Sequence, residues 1–201
     1  MKRLILVRHG ATDWNGPGRL NSFTDLPLSR VGEAEVIKLA DYLRVIAPNS
    51  HIWSSPAMRA QQTATAIANS LGGAVNTLRE AGEVNFGRFE GIVPAELTGS
   101  PEAANYALWE NGGIVEDVES LTDAADRTRC VLNHMMRASS AEQQILVTHG
   151  VFIRVFVCVN VFSFSPSSYR HMVVDNASVS ILQLTHRGFR LAQLNARCDA
   201  R

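Results

Sequence analysis

Two stretches decide the fold: Leu4-Ile5-Leu6-Val7-Arg8-His9-Gly10 and Ile145-Leu146-Val147-Thr148-His149-Gly150. In each, a short apolar run ends in His-Gly just before a loop or helix. Such runs are expected of strands buried on both faces of a parallel sheet. In open α/β sheets, ligands bind beyond the carboxyl ends of the strands. If the two strands are neighbours, both imidazoles enter one crevice. The glycine after each histidine allows close backbone approach, and a helix starting there offers N–H donors to an anion.

Working outward, Ser29 caps a predicted helix running to about Ile46, with Val36, Ile37, Ala40, Leu43 and Ile46 near helical spacing. His51 to Ser54 reads as a short strand. Pro56, at a first helical turn, opens a helix through Leu71. Gly72-Gly73 ends that helix, and Ala74 to Leu78 returns as a strand. Residues 82–119 are richer in Gly, Pro and acidic residues, with a helix over Ala103 to Glu110. A further helix covers Leu121 to Arg137, Gln144 to Thr148 is a strand, and another helix follows from Val151. Ser178 to Leu184 and Phe189 to Leu194 form a hairpin around Arg187-Gly188. Strands alternating with helices predict an α/β fold, a three-layer sandwich with a mostly parallel central sheet flanked by helices and an antiparallel edge near the end. No repeat or linker interrupts the pattern, so a single domain over residues 1–201 is expected.

Lys plus Arg number 19 and Asp plus Glu 19, so no global field directs the chain to nucleic acid or to an anionic membrane. An anion site must therefore be local. The start is too short an apolar run for a signal peptide, and Val151 to Phe164, interrupted by Arg154 and Asn160, is too short to span a bilayer. Cys130, Cys158 and Cys198 give an odd count without close spacing, which argues against a disulfide framework or a zinc site. Cys130 and Cys158 fall in helical patterns, where a small buried thiol is expected. A reducing, cytoplasmic compartment fits.

Arg8 precedes the first histidine, and Arg59 opens the helix after the strand His51 to Ser54. A guanidinium fork matches phosphate oxygens at two points. Two arginines and a protonated His149 would offset most of the charge of a bound phosphate. One imidazole must be neutral to attack phosphorus, and a phosphorylated histidine is a reasonable covalent intermediate. Glu83, in the loop after the strand ending near Leu78, is placed to protonate the leaving alkoxide, with Glu80 and Glu90 as rivals for that role. Arg-His-Gly alone is a weak motif; the case rests on four strand ends supplying complementary groups. His51, His134, His171 and His186 lack this context, His171 being the one that falls nearest a pocket rim. Substrate-facing side chains are expected from Asn21, Ser22, Phe23 and residues 90–111. Tyr106 and Trp109 offer either an apolar wall or, given their helical spacing, core.

Together these segments resemble the histidine phosphatase superfamily, which includes cofactor-dependent phosphoglycerate mutases, over nearly the whole chain. Leu6-Val7-Arg8-His9-Gly10-Ala11-Thr12 is similar to its nucleophile segment. Trp14-Asn15 with Gly18-Arg19, then Asp25-Leu26-Pro27-Leu28-Ser29 and Gly32, resemble the loop and helix cap that follow. Ser54-Ser55-Pro56 through Arg59, with Gln62-Thr63-Ala64, resembles the second-arginine segment, and Glu83 to Gly91 the acid loop. Glu119-Ser120-Leu121 with Arg127, and Val147-Thr148-His149-Gly150 with Ile153-Arg154, resemble the two segments around the second histidine. The resemblance implies His9 as phosphoryl acceptor, Arg8, Arg59 and His149 as the phosphate pocket, Asn15 as a further phosphate ligand and Glu83 as proton donor. It also implies no metal or cofactor, and a bond from the other ring nitrogen of His9 to a backbone carbonyl. Asn21-Ser22 stand where many members have Gln-Gly, Phe89 where Trp is frequent, Val151 where Gly is frequent, and Asp117-Val118 where a Pro-Gly-Gly run is common. These departures bear on substrate more than on chemistry.

The expected function is a phosphomonoesterase acting on small phosphorylated metabolites through a phosphohistidine at His9. A phosphoglycerate mutase is the alternative, disfavoured by the short stretch between Glu83 and His149, and a non-catalytic binding protein ranks last. An exposed edge strand leaves a homodimer open.

Overall fold

β1 (Arg3–Arg8) and β4 (Gln143–Thr148) lie side by side, parallel and in register, so that Arg8 stands opposite Thr148. This computed structural model describes residues 2–198; Met1 and residues 199–201 of the expected unit lie outside the described residues. β2 (His51–Ser54) pairs parallel with β4, and β3 (Val75–Thr77) parallel with β2. β5 (Val179–Thr185) runs antiparallel to β1, and β6 (Gly188–Ala196) antiparallel to β5, giving the order β3-β2-β4-β1-β5-β6. The mostly parallel sheet and its antiparallel edge match expectation, and the two His-Gly strands are neighbours, which is the condition a shared crevice rested on.

Alternation along the central strands assigns the two layers of helices. Ile5, Val7, Ile145 and Val147 face α1 (Arg30–Ile46) and α2 (Met58–Leu71), packing on Leu39, Leu43 and Ile67. Leu4, Leu6 and Leu146 face the other way, toward α4 (Leu121–Ala138) and α5 (Gly150–Asn160), meeting Val131, Met135, Phe152 and Phe156. Period-two alternation in strands buried on both faces produces this division. A third apolar cluster joins residues of the 84–89 loop to α3 (Pro101–Glu110), α4 and α5. Trp109 is fully buried there, its indole N–H donating to Glu119 O at 2.9 Å, and Tyr106 stacks against it. Trp109 is core, and Tyr106, partly buried, packs on it.

The caps are local. Ser29 and Ser120 each accept the backbone N–H three residues ahead, from Gly32 and Asp123. α2, expected from Pro56, begins instead at Met58. The reason is that Ser55 N still donates to Val147 O, which continues the sheet ladder one residue beyond β2. Asp25 Oδ1 then caps the late start by accepting Met58 N at 2.7 Å. Cys158 is buried as expected, whereas Cys130 is exposed, lying one position off the inward Val131 on α4.

The N-terminus of α1 packs on the loop after β1 backbone to backbone. A Cβ on Gly32 would fall 2.0 Å from Ala11 O, and one on Gly10 would fall 2.8 Å from Gly32 O. Both neighbours are main chain and cannot swing away. Gly32→Ala is expected to lower stability by about 1–3 kcal/mol, read from urea unfolding; a change below about 0.5 kcal/mol would mean the loop yields freely.

Candidate active site

The register of β1 and β4 delivers both histidines to the same edge of the sheet. His9 N donates to Thr148 O at 3.0 Å, extending the parallel ladder to the nucleophile candidate itself. The two rings meet edge-on with centroids 5.1 Å apart. His9 Nδ1 lies 2.7 Å from Gly10 O. A carbonyl can only accept, so Nδ1 carries the proton and Nε2 presents its lone pair.

Several groups fix this imidazole from behind. His9 O accepts from Ala177 N and from Asn176 Nδ2, each at 3.1 Å. Gly10 N donates to Thr63 Oγ1 at 3.1 Å, and that hydroxyl donates to Arg59 O at 2.8 Å. Thr63 thus ties the His9 loop to the first turn of α2. Asn15 Oδ1 accepts from Thr12 N, Thr12 Oγ1 and Asn176 Nδ2 at 2.8, 3.1 and 3.2 Å. With its oxygen saturated, the Asn15 amide turns its NH2 toward the cleft it lines.

His149 caps α5, and its Nε2 lies 2.7 Å from Ser55 Oγ. Its Nδ1 is buried with no partner, as are Arg8 Nε and Arg59 Nε. Arg8 Nη1 donates to Val174 O at 2.6 Å, while a Cβ on Gly150 would lie 3.2 Å from Arg8 Nε. Gly150 therefore lets α5 start against the guanidinium. Arg59 is buried, and its terminal nitrogens donate to the carbonyls of Asn21, Ser22 and Thr24 at 3.2–3.3 Å. Buried polar atoms are normally bonded, so three orphaned nitrogens beside one pair of imidazoles mark a place for acceptor oxygens.

The cleft has two lobes with Glu83 lining both. One, of about 370 Å³, is lined by Arg8, His9, Asn15, Arg154 and Asp175; the other, of about 440 Å³, by Ser22, Phe23, Ser55 and His149. Glu83 accepts from Val84 N and Phe152 N at 2.9 Å and from Val151 N at 3.0 Å. Its carboxylate thus sits on the first turn of α5, where N–H groups and the helix dipole favour an anion. Arg127 holds the loop in place, donating to the carbonyls of Glu80, Gly82 and Glu83 and pairing with Glu119 at 2.8 Å. Glu80 is exposed and does not line the cleft. The Glu90 carboxylate is taken up by Ser22 N, Ser22 Oγ and Thr24 N. Of the three acidic residues, the geometry brings Glu83 to the histidines.

Burial, with the Arg8 and Arg59 cations second, pushes His9 well below the ordinary imidazole range. Burial, then Arg59, His9 and Arg8, does the same to His149. Both shifts favour the neutral imidazole, whereas the protonated His149 expected from the sequence is one that faces a bound phosphate. Burial also lowers Arg59, and lowers Arg8 to about 10, which leaves Arg8 charged at neutral pH. The linkage has a definite sign. The unfolded chain protonates these histidines below about pH 6.5 and the fold does not, so their contribution to stability is complete above that pH and is lost as pH falls below it. Melting temperature is expected to drop between pH 7 and pH 5; a flat profile over that window would contradict the neutral pair.

The expected residues Arg8, His9, Asn15, Arg59, Glu83, His149 and Gly150 come together. Ser22 reaches the second lobe with its hydroxyl already donating to Glu90 and accepting from Phe86 N. Asn21 lines the first lobe, its Nδ2 on Thr24 O. His171 is exposed and lines neither lobe. Asn176, Asp175 and the Ser55 contact were missed. Asn176 and Asp175 precede β5, and the start of an antiparallel strand beside β1 lies at the same sheet edge as the end of β1. Among the described residues, no three His, Cys, Asp or Glu side chains cluster in a way that could hold a metal, and no helix is long and apolar enough to cross a membrane.

Known proteins are similar to this chain over most of its length. A probable phosphoglycerate mutase GpmB of Yersinia enterocolitica is 29% identical over 182 residues, covering 90% of this chain and 84% of that protein. Two structures of phosphoserine phosphatase from Entamoeba histolytica superpose with a TM-score of 0.85 and cover 98% of each chain. One is a mutant in complex with phosphoserine, 26% identical, and the other is in complex with 3-phosphoglyceric acid, 25% identical. The sequence profile of the histidine phosphatase superfamily (branch 1) matches residues 4–197, and the chain belongs to that superfamily.

Proposed function

We propose that the protein is a phosphomonoesterase that hydrolyses small phosphorylated metabolites through a phosphohistidine at His9. The observation that carries this reading is the set of unpartnered nitrogens on Arg8, Arg59 and His149, buried beside a His9 whose Nε2 lone pair is free. Phosphate oxygens satisfy all of them. Nε2 attacks phosphorus, the bond from phosphorus to the alcohol oxygen breaks, and a protonated Glu83 gives its proton to the departing alkoxide. Water then attacks the phosphohistidine, Glu83 takes a proton from it, and the P–N bond breaks to release phosphate and restore His9. Asn15, Arg8 and Arg59 hold the phosphoryl oxygens, and a phosphate dianion draws a proton onto His149.

Sulfate, a dianion throughout pH 5–7, separates that last step from the titration of phosphate. It is expected to raise the melting temperature more at pH 5 than at pH 7; equal stabilisation at both would show that the anion does not charge the imidazole. A panel of phosphate esters assayed in EDTA tests the function. Hydrolysis of p-nitrophenyl phosphate and of some metabolites is expected, and no turnover together with no trappable phosphoenzyme would refute it. The mutase reading draws on the GpmB relative. It wins if phosphoglycerates interconvert only after priming by a bisphosphate, with negligible release of phosphate.

A further inference from the structure

The turn that leads into β5 is held in a conformation its sequence does not favour. Ser178 N closes it by donating to Asp175 O at 3.3 Å. Its third residue, Ala177, has φ 50°, in the left-handed region where a turn normally places Gly or Asn. Strain of this kind persists where the surroundings impose it, and it clusters at functional sites. Here the turn aims two donors at the loop that carries His9. Ala177 N and Asn176 Nδ2 each reach His9 O at 3.1 Å, and Asn176 Nδ2 also reaches Asn15 Oδ1 at 3.2 Å. An amide nitrogen carries two hydrogens, and Asn176 places one on each oxygen.

The edge strand β6 braces this turn. Asn195, itself at φ 54°, grips Asp175 with both ends of its amide. Its Oδ1 accepts Asp175 N at 2.6 Å, and its Nδ2 donates to Asp175 Oδ2 at 3.1 Å. Asn195 N donates to Ser180 Oγ at 3.1 Å on β5. The β5–β6 register shifts at this point, between the pairs Val179–Ala196 and Ile181–Gln193, and such a bulge re-aims a side chain. Resting on the phosphomonoesterase reading, we propose that Asn176 is a positioning residue for phosphoryl transfer. It fixes the main chain of His9 and turns the Asn15 amide so that its NH2 meets the phosphoryl oxygens. A hydroxyl there would offer one hydrogen and a carboxylate none. Asn195 keeps the turn in place from the edge of the sheet.

A double-mutant cycle on kcat/KM for p-nitrophenyl phosphate tests this. Asn176→Ala is expected to lower kcat/KM about tenfold, the scale of the bonds it gives up. Asn176→Asp should lower it further, because an acceptor then faces two acceptors. In an Asn15→Ala background the loss from Asn176→Ala should shrink to about a third or less, since the part transmitted through Asn15 has lost its target. A role in folding alone would cost the same in both backgrounds. Asn195→Gly leaves the positive φ open and removes both grips on Asp175, and should lower kcat/KM about threefold or more with the same dependence on Asn15. A loss below about threefold for Asn176→Ala, a loss that shrinks less than this in the Asn15→Ala background, or an Asn176→Asp variant more active than Asn176→Ala overturns this inference alone. If Asn176→Ala does not fold, Asn195→Gly with and without Asn15→Ala decides by the same comparison. No turnover by the wild type overturns the phosphatase reading and this inference with it.

Discussion

His9→Ala is expected to remove phosphatase activity by about 10⁴-fold or more, the scale on which loss of a covalent nucleophile acts. Two features make the effect this large. The Gly10 carbonyl fixes the tautomer of His9, so the attacking atom is Nε2, and burial beside two arginines keeps that nitrogen unprotonated. No neighbouring side chain can substitute. The second imidazole, with centroids 5.1 Å away, is directed at Ser55 through its own Nε2. The covalent intermediate gives a second readout. A phosphohistidine survives alkali and is lost in acid, so an alkaline quench of the wild type with labelled substrate should retain label, and the variant should retain none. The fold should persist, because the backbone bonds of His9 to Thr148, Ala177 and Asn176 do not involve the ring. Activity within tenfold of wild type would remove His9 from the reaction.

The parts of the fold legible in the sequence are those set by local chemistry. Leu4 to Val7 and Ile145 to Val147 are apolar throughout because both faces of those strands are covered, and their shared His-Gly ending brings two imidazoles together once the strands pair. Ser29 and Ser120 cap helices through bonds spanning three residues. The start of α2 was misread because its determinant is remote: the ladder bond from Ser55 to Val147 and the cap from Asp25 join residues far apart in the chain. The site divides in the same way. His9, Arg8 and His149 sit in recognisable segments. Asn176 acts 167 positions away from the carbonyl it holds, and Ser55 acts 94 positions away from His149. Neither pairing has a periodicity or a spacing to betray it. The downward shift of His149 was also out of reach, since it depends first on the burial of the ring and then on Arg59, His9 and Arg8 around it.

Glu83→Gln should slow esters of alkyl alcohols by about 10²–10⁴-fold while affecting p-nitrophenyl phosphate far less. An alkoxide is a poor leaving group and needs a proton as the bond to phosphorus breaks; p-nitrophenolate departs without one. The hydrogen bonds of Glu83 add a condition. Glu83 accepts three backbone N–H bonds, from Val84, Val151 and Phe152, so both carboxylate oxygens are already engaged. To protonate the leaving oxygen, a carboxylate oxygen of Glu83 has to give up one of these N–H donors. The amide of Gln keeps the side chain's size but places an NH2 against at least one of those N–H donors. The variant should therefore lose about 1–3 kcal/mol of stability, read from urea unfolding. Equal slowing of both ester classes would mean that Glu83 positions the loop and does not transfer the proton. The Arg127 clamp on the carbonyls of Glu80, Gly82 and Glu83 would then be the feature through which it acts.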